Sequence, residues 1–145
     1  MMRRIKENLG FYLLAAFFIG GLGLVLWDKV FTRDAGALVR VTVPALSVPA
    51  ARGKAAFDRV CAVCHGVNAA GGDKGPPLVH DIYNPGHHAD GAFVLAAKRG
   101  VPAHHWRFGD MPPQPNVSDT EIQEIVRYIR ELQAANRIHY RPHQM

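Results

Sequence analysis

Cys61-Ala62-Val63-Cys64-His65 is the stretch on which the reading of this chain turns. Two thiols three positions apart share one helical turn, and the next residue sets an imidazole beside them. This is the Cys-x-x-Cys-His spacing of covalent haem attachment. The thiols reach the vinyl groups on neighbouring edges of a porphyrin, and the imidazole meets the iron from the same side. The motif predicts Cys61 and Cys64 as the thioether positions of one covalent haem c, and His65 as its proximal iron ligand. Two other chemistries use a Cys-x-x-Cys pair. A thioredoxin-like redox pair follows a buried strand in a βαβ unit. Here the approach, Ala50 to Val60, reads as a helix, and no parallel-strand pattern follows. A zinc site needs four ligands, usually a second Cys pair or two His at regular spacing. The chain has only two cysteines, and His87 and His88 would complete such a site only by accident of folding.

On the N-terminal side, Met1 to Glu7 carries Arg3, Arg4 and Lys6, and Leu9 to Trp27 then runs without a charge. About nineteen residues make a helix of about 28 Å, against a hydrocarbon core of about 30 Å. Phe11, Tyr12 and Trp27 stand near its ends, where aromatic residues favour the interface. Gly20, Gly21 and Gly23 are tolerated small residues or a packing face for another helix. A cleaved signal peptide is the rival reading, with Ala35-Gly36-Ala37 as the small-x-small site. Its apolar region would normally be shorter, and Asp28, Lys29, Arg33 and Asp34 lie in the long gap before that site. The expectation is an uncleaved single-pass anchor with the basic end in the cytoplasm. Segments follow: 1–8 basic cytoplasmic end, 9–27 transmembrane anchor, 28–49 linker, 50–135 haem domain, 136–145 polar tail. In the linker, Pro44 and Pro49 interrupt and Val39 to Val43 alternates, which allows an extended tether or a short docked strand.

The charge balance supports this division. The chain of 145 residues has a formal net charge of +5. Its first 49 residues hold six Lys/Arg against three Asp/Glu, and the remainder eleven against nine. The basic excess therefore concerns membrane topology. No basic stripe interleaved with aromatics appears, so nucleic acid is not an expected partner. The part beyond the linker is short, and small domains often lean on a metal, a disulfide or a cofactor. A buried porphyrin would supply apolar volume.

Beyond the motif, Gly66 to Gly75 is a Gly/Asn/Asp-rich loop. Asp90 is expected to cap a short helix through Arg99, with Gly100 as its stop. Met111 lies in a Pro-rich loop, Gly109-Asp110-Met111-Pro112-Pro113. Ser118 and Glu121 form a capping box. Ile122, Ile125, Ile129 and Leu132 continue as an apolar stripe with Tyr128 beside it. Asn136 onward reads as a polar tail with His139 and His143. A metal site at His139, His143 and Met145 is conceivable, and a solvated terminus is the plainer reading.

Taken in order, these features resemble the class I, mitochondrial-type monohaem cytochrome c family in its membrane-anchored bacterial form, over about Val48 to Ala134. Gly53 and Phe57 stand eight and four residues before Cys61, as in the family's N-terminal helix. The resemblance implies that they cross a C-terminal helix at Ile125, Tyr128 and Ile129. Gly75-Pro76-Pro77-Leu78 resembles the family's Gly-Pro-x-Leu segment. This implies that the Pro76 carbonyl accepts the Nδ1 proton of His65 and that Leu78 packs on the haem. Met111 matches the family's distal ligand, and His/Met ligation would raise the potential relative to His/His. His80, His87, His88, His104 and His105 are weaker competitors for that position. Trp106 is a candidate donor to a haem propionate, because a buried indole N–H needs an acceptor. The anchor, the linker, the His-bearing tail and the loop Tyr83-Asn84-Pro85-Gly86-His87-His88 depart from the mitochondrial pattern and leave the partners open.

The expected fold is all-α: a class I cytochrome c-like haem domain behind one N-terminal transmembrane helix. The implied function is single-electron transfer between respiratory or photosynthetic redox partners, at a bacterial inner membrane with the haem domain on the periplasmic side. Partners are membrane or periplasmic donor and acceptor proteins and the lipid bilayer. No small-molecule substrate is expected, and the chain reads as a carrier and not an enzyme. The alternative is a fixed haem c electron-entry subunit of a larger membrane oxidoreductase. A third reading, a peroxidase or gas sensor, needs an open iron position and a distal His or Arg above it.

Overall fold

The structure is a computed structural model that describes residues 8–31 and 38–142. Arg3, Arg4 and Lys6, the Ala35-Gly36-Ala37 site, and His143 and Met145 lie outside the described residues. The chain divides into two units, one ending at Asp34 and one starting at Ala35.

The first unit is helix α1, Leu9–Phe31. Its stretch Gly10–Trp27 has a mean hydropathy of 2.0, and none of it is buried inside the protein. It is long and apolar enough to cross a membrane, and a signal sequence would have the same properties. The helix continues past Trp27 to Phe31, because neither Gly nor Pro interrupts it there.

The second unit is helical, and among its described residues only an isolated bridge between Val101 and Met111 forms, with no strand. Helix α2 spans Val48–Val60, α3 is the single turn Ala62–His65, α4 spans Asp90–Arg99 and α5 spans Asp119–Ala135. Short 3-10 turns cover Val67–Ala69 and Asp81–Tyr83. The principal packing is α2 across α5, with α4 also against α5.

Each element has a local cause. Helix α5 carries the capping box, with the Ser118 hydroxyl and the Glu121 carboxylate each closing on the other's backbone N–H. Ile122, Ile125, Ile129 and Leu132 bury one face of it, with Tyr128 fully buried alongside. At the crossing, the Phe57 and Tyr128 rings meet edge to face at 5.6 Å. Helix α4 ends where Gly100 takes φ +74° and its N–H reaches Ala96 O.

Four details depart from the sequence expectations. Helix α2 begins at Val48, because Ser47 accepts from the Ala50 N–H and Pro49 suits a first helical turn. Ala89 is the N-cap of α4. Asp90 is already helical and makes no cap hydrogen bond; its carboxylate pairs with Arg130 at 2.7 Å. Residues 38–47, read as linker, dock on the domain without forming a strand. Val39, Val41 and Leu46 pack on the core, Val39 N–H donates to Ala70 O at 2.8 Å, and Thr42 exchanges hydrogen bonds with the Asn136 side chain. The tail folds back as well. Arg137 turns the chain at φ +64°, so that Ile138 N–H reaches Gln133 O and Arg137 N–H reaches Ala134 O. This double return buries Ile138 in the core that contains Leu132.

Candidate haem-binding site

The attachment motif is built by helix continuation. Cys61 N–H donates to Phe57 O at 2.8 Å, closing α2, while Cys64 and His65 N–H both return to Cys61 O. Cys61, Cys64 and His65 therefore occupy one turn. His65 Nδ1 lies 2.9 Å from the Pro76 carbonyl oxygen. An acceptor at that atom makes Nδ1 the donor, so Nε2 carries the lone pair of the neutral ring. Burial lowers the His65 pKa, and the bond to Pro76 opposes that shift only in part. The ring is thus held neutral and oriented, as a metal-ligating imidazole must be. The Cys61 thiol is pushed up to about 11 by burial and by neighbouring Cys64, with Arg59 opposing. A redox-active Cys-x-x-Cys thiol is shifted the opposite way, so the environment suits alkylated sulfur better than thiolate exchange.

Beside this turn lies a cavity of about 450 Å³. Cys61, His65, Pro76, Leu78, Trp106 and Met111 all contribute to its wall; the Cys64 side chain is not part of the lining. The packed floor comes from α2 and α5 through Phe57 and Ile129. Met111 is pinned by its backbone. Its N–H donates to Val101 O and its carbonyl accepts from Val101 N–H, both at 2.9 Å. Gly100 makes this approach possible, since a Cβ there would lie 2.4 Å from Met111 O. Trp106 donates its indole N–H to the Tyr83 hydroxyl at 3.0 Å, so its donor is satisfied within the protein. Burial pushes Tyr83 up to about 12, with that hydrogen bond opposing.

Phe93 and Phe108, which the sequence expectations do not include, also line the cavity, as does Tyr83 from the divergent 83–88 loop. Phe93 has a sequence signal: Phe93, Ala96 and Ala97 recur at helical spacing along one face of α4, just before its Gly100 stop. Of the competing histidines, His80 accepts from Ile82 N–H at a 3-10 turn and packs on Trp106 at 5.2 Å. His88, His104 and His105 reach the cavity wall.

The residues present fit a porphyrin. The cavity is mainly apolar and within the roughly 300–1,000 Å³ of cofactor sites. An oriented neutral imidazole and a thioether form a familiar haem-iron donor set. Residues 50–133, more than half of the chain, match the family model described as cytochrome c. No curated protein and no solved structure matches the chain.

Proposed function

The chain belongs to the cytochrome c family, and from that premise we propose a membrane-anchored carrier that passes single electrons between redox proteins, with His65 and Met111 as the axial ligands of its iron. Family membership supports an electron carrier and implies covalently attached haem c. The group, when bound, supplies the one-electron redox couple. The observation that carries the proposal is the presence of His65 and Met111 in the wall of one apolar cavity beside the Cys61–His65 turn.

The chain's own residues do the rest. Cys61 and Cys64 would tether the group. Pro76 fixes the tautomer and angle of His65, which strengthens it as a donor. The Val101 bridge holds the Met111 backbone in place at the cavity wall, which would limit the positions open to its thioether. Leu78, Phe93 and Phe108 keep water out, and a low dielectric limits the reorganisation that accompanies a change of charge. With His65 and Met111 both holding the iron, no substrate would need to bind there. Helix α1 would hold this domain at a high effective concentration near membrane partners. The basic N-terminus argues for the periplasmic side of a bacterial inner membrane, where covalent haem attachment takes place.

The chain should first be matured in a host that attaches haem. A covalent haem stain that survives a denaturing gel, and a sharp low-spin reduced band with ascorbate, are expected. Met111→Ala should convert the spectrum towards high spin and open the iron to carbon monoxide. A wild-type high-spin spectrum, or a Met111→Ala spectrum identical to wild type, would overturn the His/Met assignment. Native sizing after mild detergent extraction then separates the tethered carrier from a fixed electron-entry subunit, which would migrate with a larger complex.

A further inference from the structure

Two pairs of adjacent histidines, His87-His88 and His104-His105, are separated in the sequence and meet in the fold. The His87 and His105 ring centroids lie 5.2 Å apart, those of His88 and His105 also 5.2 Å, and those of His104 and His105 4.2 Å. One ring nitrogen from each of His87, His88 and His105 falls within 4.8 Å of the other two. His87 and His88 are half-buried and His105 is exposed, so the group is open to solvent ions on one side.

Their hydrogen bonds prepare these rings for a cation. His88 Nδ1 lies 2.8 Å from the Ile82 carbonyl and His104 Nδ1 2.8 Å from the Pro102 carbonyl. Each carbonyl accepts from the Nδ1 N–H, so each neutral ring keeps its lone pair on Nε2. Backbone-fixed tautomers of this kind orient metal-ligating imidazoles. His87 Nε2 and His105 Nε2 lie 3.3 Å apart. One proton at most can sit between two nitrogens at that separation, whereas one cation can satisfy both. Metal–nitrogen bonds of about 2.0–2.1 Å in a tetrahedral site place ligand nitrogens about 3.3–3.4 Å apart. This pair already has that spacing, and side-chain rotation would close the third.

The surrounding loop is held firmly. Asn84 O accepts from the His87 and His88 N–H groups at 3.0 and 2.9 Å, and Arg130 bonds His88 O. The neighbouring carboxylates are engaged elsewhere: Asp90 by Arg130, Asp81 by Arg141 and Asp110 by the Ala103 N–H. The donors are therefore imidazoles without oxygen anions. This set suits copper or zinc and disfavours calcium or magnesium.

We propose that His87, His88 and His105 bind one divalent transition-metal ion, Cu²⁺ or Zn²⁺, with His104 the nearest further imidazole. The ion would sit at the edge of the haem cavity, whose wall includes His88 and His105, and it is distinct from the haem iron.

The test uses the full haem-loaded chain, kept ferric, titrated with Cu²⁺ alone and followed by electron paramagnetic resonance. One copper per chain is expected, with hyperfine structure from at least three nitrogens, displacement by excess Zn²⁺ and an unchanged haem spectrum. The double variant His87→Ala/His105→Ala should lose more affinity than the roughly 10–100-fold typical of a second-shell change. His139→Ala, an exposed histidine outside the cluster, should bind as wild type. His87→Gln/His105→Gln, with circular dichroism and the haem spectrum as checks on folding, repeats the test at nearly constant volume. Absence of stoichiometric copper binding would overturn the proposal, as would equal binding by the cluster variants. A copper-induced change of the haem spectrum to that of a lost axial ligand would overturn it too, because the ion would then be competing at the iron site.

Discussion

Gly53 of α2 lies directly on the backbone of α5: a Cβ built on it would sit 1.9 Å from the Glu124 carbonyl oxygen and 2.8 Å from the Ile125 amide nitrogen. Backbone cannot move aside as a flexible side-chain tip can. Gly53→Ala must therefore push the helices apart and loosen the Phe57–Tyr128 contact next to it. We expect a loss of about 3 kcal/mol or more, at or above the upper end for overpacking, read from the denaturant midpoint of the haem-loaded protein. Gly91→Ala is the control. Nothing lies within 4 Å of its added Cβ, and it stands inside α4, so a gain of up to about 1 kcal/mol is expected. Equal effects at the two positions would refute the close-crossing account.

Gly100 tests how Met111 is held. Its φ of +74° and the 2.4 Å gap from a built Cβ to Met111 O both oppose any side chain. Gly100→Ala should displace the Val101–Met111 bridge while leaving the α2–α5 crossing intact. If Met111 ligates iron, the expected result is a weakened ferric iron–sulfur charge-transfer band and easier carbon monoxide binding, with little change in helix content. An unaltered spectrum would show that the bridge does not position the sulfur.

The contrast between these elements shows what a sequence can carry. Helix α5 was readable because its information is contiguous: a Ser-x-x-Glu start followed by apolar residues every three to four positions. The docking of residues 38–47 was not, because it depends on Glu131 and Asn136, which lie 84 and 94 residues from their partners Ser47 and Thr42. The expected cap at Asp90 shows how a local rule loses. The residue type fits an N-cap, but the Arg130 guanidinium takes its carboxylate in a tertiary pair. Trp106 shows the same limit. That its indole would need an acceptor follows from chemistry, but finding that acceptor in Tyr83 required the fold.

Gln133 links the helix core to the cavity wall. It is almost fully buried, donates to the carbonyls of Leu78 and Tyr83 at 2.9 and 3.1 Å, and accepts from Arg130 at 2.6 Å. Gln133→Leu keeps similar volume and removes all three bonds. Arg130 still serves Tyr83 O, whereas Leu78 O loses the Gln133 amide. A cost of about 2 kcal/mol is expected, in the range for an unsatisfied buried polar group. Gln133→Glu should also destabilise, because it removes the amide donor and brings a charge into the core. Thermal melts of both variants with haem attached check this, and a neutral Gln133→Leu result would refute it.

Glu131 makes the docking of the 38–47 segment sensitive to acid. Its carboxylate accepts from the Ser47 hydroxyl at 2.7 Å and the Ser47 N–H at 3.0 Å, and it pairs with Arg127 at 3.1 Å. Partial burial alone would raise its pKa, but the two Ser47 bonds and Arg127 together outweigh burial and leave it below the usual glutamate value. The sign follows from linkage. A carboxylate depressed in the folded state binds its proton less readily there than in the unfolded chain. Its contribution is therefore complete above the unfolded-state value of about 4.3, and it fades as pH falls through the lower folded value. In that window Ser47 should lose its tie to α5 before the α2–α5 crossing fails. The Ser47 amide resonance, followed by nuclear magnetic resonance as the haem-loaded protein is acidified, should shift with a midpoint below the ordinary glutamate value. Glu131→Gln should remove that titration and, at neutral pH, expose residues 38–47 to protease. A Ser47 resonance that titrates unchanged in Glu131→Gln would assign the acid response to another group.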